Sequence, residues 1–411
     1  MIKTKILENG VTLICETLKN IKVGTIAVGF KVGSMNEKEF KMFGISHAVE
    51  HMLFKGTSTR TSKEINDLIE NTGGLANAET SVNKTVYFIN MRMCDFEPMT
   101  EILFDMIQNA SFPKEEWEKE KDVIHQEIKM YEDDPQGVVQ DNIFKISFED
   151  ENLAHPVIGY WDSVKNITTE DLKKYVEDNY TSDRMIVSAS GDITIEELEK
   201  LVFKYYKKNS KSKEEDFNLK QVYGKKIENE KDLAQTYVTM TLADFDRTKK
   251  VMYESVVFSE IFSGGMSSKL WKRIREELGL VYYIGCSYIP CANKALYGIS
   301  FMCDYDQVNV IIDNIYDLIE EMKQGDFSDV EFQKALNSQE YGFMCSKLNK
   351  SGCAVNNLKA YISFKRVPNE NRDLKLIKNV TKENVINFAK KYFKRNKFNI
   401  AIVKPKTCPD F

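Results

Sequence analysis

The sequence predicts an α+β protein made of two similar α/β sandwich domains, each a mixed, largely antiparallel sheet with helices packed on it. Three observations carry that expectation. The 411 residues suffice for two domains of about 200 residues each, and a hydrophobic content of 42% with 24 Phe and 19 Tyr can fill two cores. Strand and helix patterns interleave without strict β–α–β alternation, which argues against a doubly wound sheet. A faint repeat joins the halves: Ile167-Thr168-Thr169-Glu170-Asp171-Leu172, with Tyr175 and Tyr180 after it, resembles Val380-Thr381-Lys382-Glu383-Asn384-Val385, with Phe388 and Phe393 after it. The copies lie 213 residues apart, from 167 to 380, and a β-rich strand follows each (185–189 and 398–403), as duplication of one α/β unit would produce.

In chain order, the first 35 residues alternate as strands, with Asn9-Gly10 as a hairpin turn. The β-branched run 21–32 is a further strand. A helix is expected at about residues 44–55, then a second that starts at Thr61-Ser62 and ends at Gly73-Gly74. Residues 76–80 and 85–89 read as strands. Phe96, Met99, Ile102, Leu103, Met106 and Ile107 mark one apolar helix face, and a charged helix runs from Lys114 to about Tyr131. Another helix covers Val138 to Ile146, and 167–206 reads helix, strand, helix. The polar stretch beginning at Lys207 divides the chain into a domain 1–206, a linker 207–230 and a domain 231–411.

Net charge is −5 with a pI near 5.7, which gives no reason to expect nucleic acid. The N-terminal residues run straight into the strand 10–15, with no apolar leader region and no cleavage site, and no apolar run approaches a membrane span. A cytoplasmic protein with reduced cysteines is expected, since the eight cysteines show no Cys-x-x-Cys spacing.

The helix at 44–55 holds the chemistry. It contains His47-x-x-Glu50-His51, and its apolar residues Ile45, Ala48, Val49, Met52 and Leu53 recur at helical spacing. Residues four apart lie one above the other on a helix, so His47 and His51 share a face and can share one zinc ion. Glu50 is close enough to reach an attacking water. This is the inverted order of the His-Glu-x-x-His motif. Only four histidines occur in the chain, and two of them are here. Hydrolytic zinc needs a third ligand. His125 and His155 are options, although His125 points away from the face of Glu127 and His155 precedes a proline. A carboxylate is the other option, and Glu120 and Glu127 sit seven apart on one helix face.

These residues resemble the pitrilysin-type metallopeptidases with the inverted zinc motif, in the short-chain subgroup that includes mitochondrial processing peptidase and its bacterial relatives. The likeness spans the chain: Asn9-Gly10, Gly73-Gly74-x-x-Asn77-Ala78-x-Thr80, Met130-Tyr131-x-Asp133-x-Pro135, Gly264-Gly265-Met266-Ser267-Ser268 and Arg275-Glu276-x-x-Gly279-Leu280-x-Tyr282 all fall in order. The resemblance implies that His47, His51 and Glu127 bind one Zn2+ per chain, that Glu50 is the general base, and that Glu120 supports a ligand. It implies that Arg275 and Tyr282 stabilise the oxyanion. The strand at Asn77 and Ala78 would pair with an extended peptide. Gly264 and Gly265 would line the substrate, though Ser263 stands where the family usually has a third glycine. The chain is then one half of a clamshell chamber, completed by a second copy or by a related chain. A zinc endopeptidase for short or unfolded peptides is the expected activity, against a catalytically silent structural subunit or a module that captures peptides without cutting them.

Overall fold

A computed structural model describes residues 2–148, 151–213, 220–246, 250–291, 294–346 and 353–408. Strands β1 (Ile2–Ile6) and β2 (Thr12–Thr17) form the expected hairpin, with Gly10 at φ +91° in the turn. With β3 (Val23–Phe30), β4 (Leu75–Ser81), β5 (Lys84–Arg92) and β6 (Met185–Gly191) they make a six-stranded sheet, ordered β1-β2-β6-β3-β5-β4. All pairings are antiparallel except β2 with β6. β6 is buried along its whole length and β3 along all but its first residue, because helices cover both faces of the sheet.

A second sheet contains β7 (Lys226–Lys231), β8 (Thr236–Asp246), β9 (Ile284–Cys291), β10 (Lys294–Cys303) and β11 (Asn399–Pro405), ordered β7-β11-β8-β10-β9. Its order repeats β2-β6-β3-β5-β4 strand for strand. Only β7 and β11 run parallel, as β2 and β6 do. The paired motifs found in the sequence therefore mark equivalent places: Thr168 and Thr381 both cap helices (Thr169–Asn179 and Lys382–Tyr392) that lead into β6 and β11. In the second unit Phe258 packs 4.5 Å from Phe393 and 5.5 Å from Phe388, ring centre to ring centre, forming an aromatic core.

The chain divides into two units. One comprises Met1–Met130, His155–Phe217 and Asn349–Pro368; the other comprises Tyr131–Ala154, Asn218–Leu348 and Asn369–Phe411. Each unit thus includes a helix from the other side of the expected linker 207–230. Helix Cys353–Phe364 lies on β2, β3 and β6, where Leu358 approaches so closely that a Cβ on Gly29 would sit 2.6 Å from it. Helix Pro135–Ser147 lies on β8 and β11, and Asn399 donates to its Ser147 Oγ at 3.1 Å. The expected linker also contains part of β7. That strand pairs on one side only and reads Lys-Ile-Glu-Asn-Glu-Lys, so its polarity conceals it. Among the described residues no helix is long and apolar enough to cross a membrane.

Candidate metal centre

Helix Ile45–Met52 follows Gly44, whose φ of +94° favours glycine and whose Cβ would lie 2.5 Å from the Ile158 carbonyl. Its N-terminus is held by a residue that sequence reasoning did not single out. Glu37 is fully buried and accepts hydrogen bonds from the Gly44 N–H at 2.7 Å and the Ser46 N–H at 2.9 Å. Burial pushes the Glu37 carboxyl up to about 8, against the pull of those donors. Ile45, Ala48, Val49 and Met52 bury one side of the helix. His47 and His51 project from the other, with ring centres 4.6 Å apart.

Helix Lys114–Asp133 faces them. Trp117, Ile124 and Ile128 are buried, and the Trp117 Nε1–H donates to the Ile167 carbonyl at 2.8 Å. That anchoring directs Glu120 and Glu127 at the histidines. Glu127 Oε2 is 3.8 Å from His47 Nε2 and 3.5 Å from His51 Nε2. Tetrahedral zinc with bonds of about 2.0–2.1 Å holds its ligands about 3.3 Å apart. Ligand atoms of His47, His51 and Glu127 all lie within 4.8 Å of one another, and among the described residues no other His, Cys, Asp or Glu group does this. The residues fit a metal ion.

The protonation of His47 agrees. Burial, reinforced by the neighbouring His51, brings His47 down to about 4, so it stands as the neutral imidazole that metals bind. Its buried Nδ1 has no hydrogen-bond partner among the described residues. His51 is opposed by burial, but hydrogen bonds to Glu120 and Glu127 outweigh it and raise the ring to about 9. The His51 ring in turn holds the Glu127 carboxyl below its usual range, so the anionic ligand faces the point where a cation would sit. Glu120 accepts from His51 Nδ1 at 2.9 Å and from Lys55 Nζ at 2.6 Å, so it orients the His51 ring and is itself neutralised.

Glu50 leaves the same helix beside the group. Burial raises its carboxyl, and the Thr80 hydroxyl donates to Oε2. β4, which carries Thr80, is the outer strand of its sheet. The Asn77 side chain turns back on that strand, its Oδ1 accepting from the Ala78 N–H at 2.8 Å. His125 stacks on Trp161 at 3.9 Å. His155 stacks on Phe43 at 3.8 Å, with Nε2 3.4 Å from Glu37. Neither joins the metal group.

In the second unit Gly264 ends helix Val251–Ser263 and Gly265 turns the chain at φ +79°. Arg275, on the π-helical turn Trp271–Glu277, lies over the Trp271 ring at 4.1 Å and the Tyr282 ring at 4.8 Å, and donates to the Tyr282 carbonyl. The pair expected from the sequence is adjacent, and Tyr282 is 73% exposed. Sequence reasoning missed the roles of Glu37, Lys55 and Thr80. Lys55 follows His51 by one helical turn, which is a signal. Glu37 sits in a polar run and had none.

Residues 13–160 match the family model described as Insulinase (Peptidase family M16), and residues 166–339 match Peptidase M16 inactive domain. The chain belongs to the M16 peptidase family. The Bacillus subtilis protein named Uncharacterized zinc protease YmxG is 28% identical over 350 residues, covering 84% of each chain. A probable mitochondrial-processing peptidase subunit beta from Schizosaccharomyces pombe is 35% identical over 204 residues, 50% of this chain and 44% of that one. The crystal structure of a protease from Helicobacter pylori shares the fold with a TM-score of 0.88 at 21% identity, covering 98% of this chain and 99% of that one. A Pseudomonas fluorescens structure described as peptidase M16 inactive domain reaches 0.90 at 15% identity over the whole of both chains. This M16 chain thus has the family's two-domain fold and relatives named zinc proteases.

Proposed function

We propose that the chain is a zinc-dependent metalloendopeptidase that hydrolyses short or unfolded peptides. The observation that carries this reading is the position of Glu50: one residue from a ligand, within the field of His51 and Glu127, and held by Thr80. Bound by His47, His51 and Glu127, a zinc ion would supply Lewis acidity that activates water and polarises the scissile carbonyl. Glu50 takes the proton of the attacking water and delivers it to the leaving nitrogen, and its raised pKa suits both transfers. The outer edge of β4 suits an extended peptide, with Asn77 and Ala78 beside the backbone. Gly264 and Gly265 would border the same peptide.

Arg275 and Tyr282 would meet the charge that develops on the carbonyl oxygen. In this reading the working form is a cytoplasmic homodimer with one zinc per chain, enclosing peptide between copies, with Arg275 and Tyr282 acting on the partner's site. Cleavage of unstructured peptides by the purified chain, lost on zinc removal and in Glu50→Gln, is the expected result. Zinc binding without any cleavage counts against it. Mixing Glu50→Gln with Tyr282→Phe should recover activity, and no recovery sinks the shared-site arrangement. A second reading, a non-catalytic or partner-dependent subunit, is favoured by the half-chain match to a protein named as subunit beta. Activity that appears only with a related chain would select it.

A further inference from the structure

We infer that Thr80 is a positioning residue for Glu50, fixing which carboxylate oxygen is turned away from the protein and left free for proton transfer. The inference rests on the reading of Glu50 as general base. Side chains alternate along β4, so Ala76, Ala78 and Thr80 share a face. Ala76 and Ala78 pack against the core that includes Ile45, Ala48, Val49 and Met52 of the metal helix. Thr80 stands at the end of that row and donates its hydroxyl to Glu50 Oε2. Among the described residues Glu50 accepts no other hydrogen bond.

Two features make Thr80 a rigid donor. Its β-branched side chain has little freedom at χ1, so the backbone sets the direction of the hydroxyl. The backbone in turn is fixed: Thr80 pairs with Thr85 of β5, whose own hydroxyl donates to the Val32 carbonyl at 3.0 Å. On the opposite face of β4, Glu79 is tied to Lys359 of helix Cys353–Phe364 at 2.5 Å. The strand is therefore held from both faces at adjacent residues. Glu50 has a long side chain with several rotatable bonds. Pinning one oxygen leaves the other, Oε1, as the free base, and spares the reaction the cost of ordering the side chain in each turnover.

The test compares wild type, Thr80→Val and Thr80→Ser, with Glu50→Gln as reference. Valine keeps the shape and strand preference and removes the donor; serine restores the donor. Expected for Thr80→Val is a kcat about ten- to hundredfold lower, with KM and zinc content unchanged, and substantial recovery in Thr80→Ser. In the metal-free protein the Glu50 carboxyl carbon resonance, assigned by its loss in Glu50→Gln, should shift in Thr80→Val and return in Thr80→Ser. An unchanged kcat, an unmoved resonance, or a serine variant as slow as valine overturns the inference. Cleavage that survives Glu50→Gln instead removes the reading beneath it, and the role for Thr80 falls with it.

Discussion

The two units share one strand order and differ in what their helices carry. After β3, helix Ile45–Met52 buries Ile45, Ala48, Val49 and Met52 and keeps His47, Glu50 and His51 on its other side. After β8, helix Val251–Ser263 buries Tyr253, Val257, Phe258 and Phe262, and its rings join Phe388 and Phe393. The chain's four histidines, His47, His51, His125 and His155, all belong to the first unit, so the second unit has none. The frame is therefore not the metal centre. The first unit's helix has an aliphatic core side and partly buried ionisable groups on the other, whereas the second's helix puts rings on its core side, so the same topology supports chemistry in one and packing in the other.

The comparison is broken most severely by taking from the first unit the helix it draws from the far half of the chain. Residues 1–206 alone would bare Ile14, Ala27, Val86 and Ile186, which helix Cys353–Phe364 covers. The expected product aggregates and lacks a cooperative unfolding transition, and fusing residues 349–368 to it restores both properties. A soluble fragment 1–206 that unfolds cooperatively would show that the sheet stands without its second cover. The milder form is Leu358→Ala in the whole chain, which should lower stability by about 2–5 kcal/mol in urea unfolding.

The next effect sharpens the chemical half of the comparison. Glu120→Ala frees the His51 ring and should weaken zinc about 10–100-fold in competition with a chelator. Glu260→Ala removes a carboxylate from the corresponding helix of the second unit, where it accepts from Gln339 at 3.1 Å, and should leave zinc affinity unchanged. Metal analysis should find one zinc per chain. Two would place a site in the second unit and end the contrast.

Much of this frame was legible in the sequence, for identifiable reasons. The repeat at Thr168 and Thr381 survived because a helix cap and the aromatic pairs after it do one job in both units. His47, Glu50 and His51 showed because their spacing is local. Glu120 and Glu127 showed only as residues sharing a face, and the fold decides that this face meets the histidines. The exchange of helices Pro135–Ser147 and Cys353–Phe364 was invisible. An amphipathic pattern states that a face is buried and says nothing of which sheet buries it. Glu37 was invisible too, since a glutamate between Asn36 and Lys38 reads as solvated until the chain folds over it.

Glu37 also supplies the smallest of the expected effects, one that shows as a slope with pH rather than as a loss. Helix Val251–Ser263 has no side-chain cap, whereas the metal helix rests on a buried carboxyl raised from 4.5 to about 8, chiefly by burial. The folded state therefore holds this proton more tightly than the unfolded chain does. Stability linked to it is fully present below 4.5 and is lost as pH rises through about 8. His155, whose Nε2 lies 3.4 Å from this carboxyl, is lowered by burial and by itself makes stability rise with pH towards the ordinary range of a free histidine; the ring is present in Glu37→Gln as well, so that opposing slope cancels in the difference between the two proteins. Glu37→Gln has nothing to titrate there. The stability of wild type minus that of Glu37→Gln should fall steadily between about pH 5 and pH 8.5 in paired urea melts. A flat difference would mean that the Gly44 and Ser46 N–H groups keep Glu37 ionised throughout. The metal helix would then rest on a buried anion, and the contrast with the uncapped helix of the second unit would be one of charge as well as of hydrogen bonding.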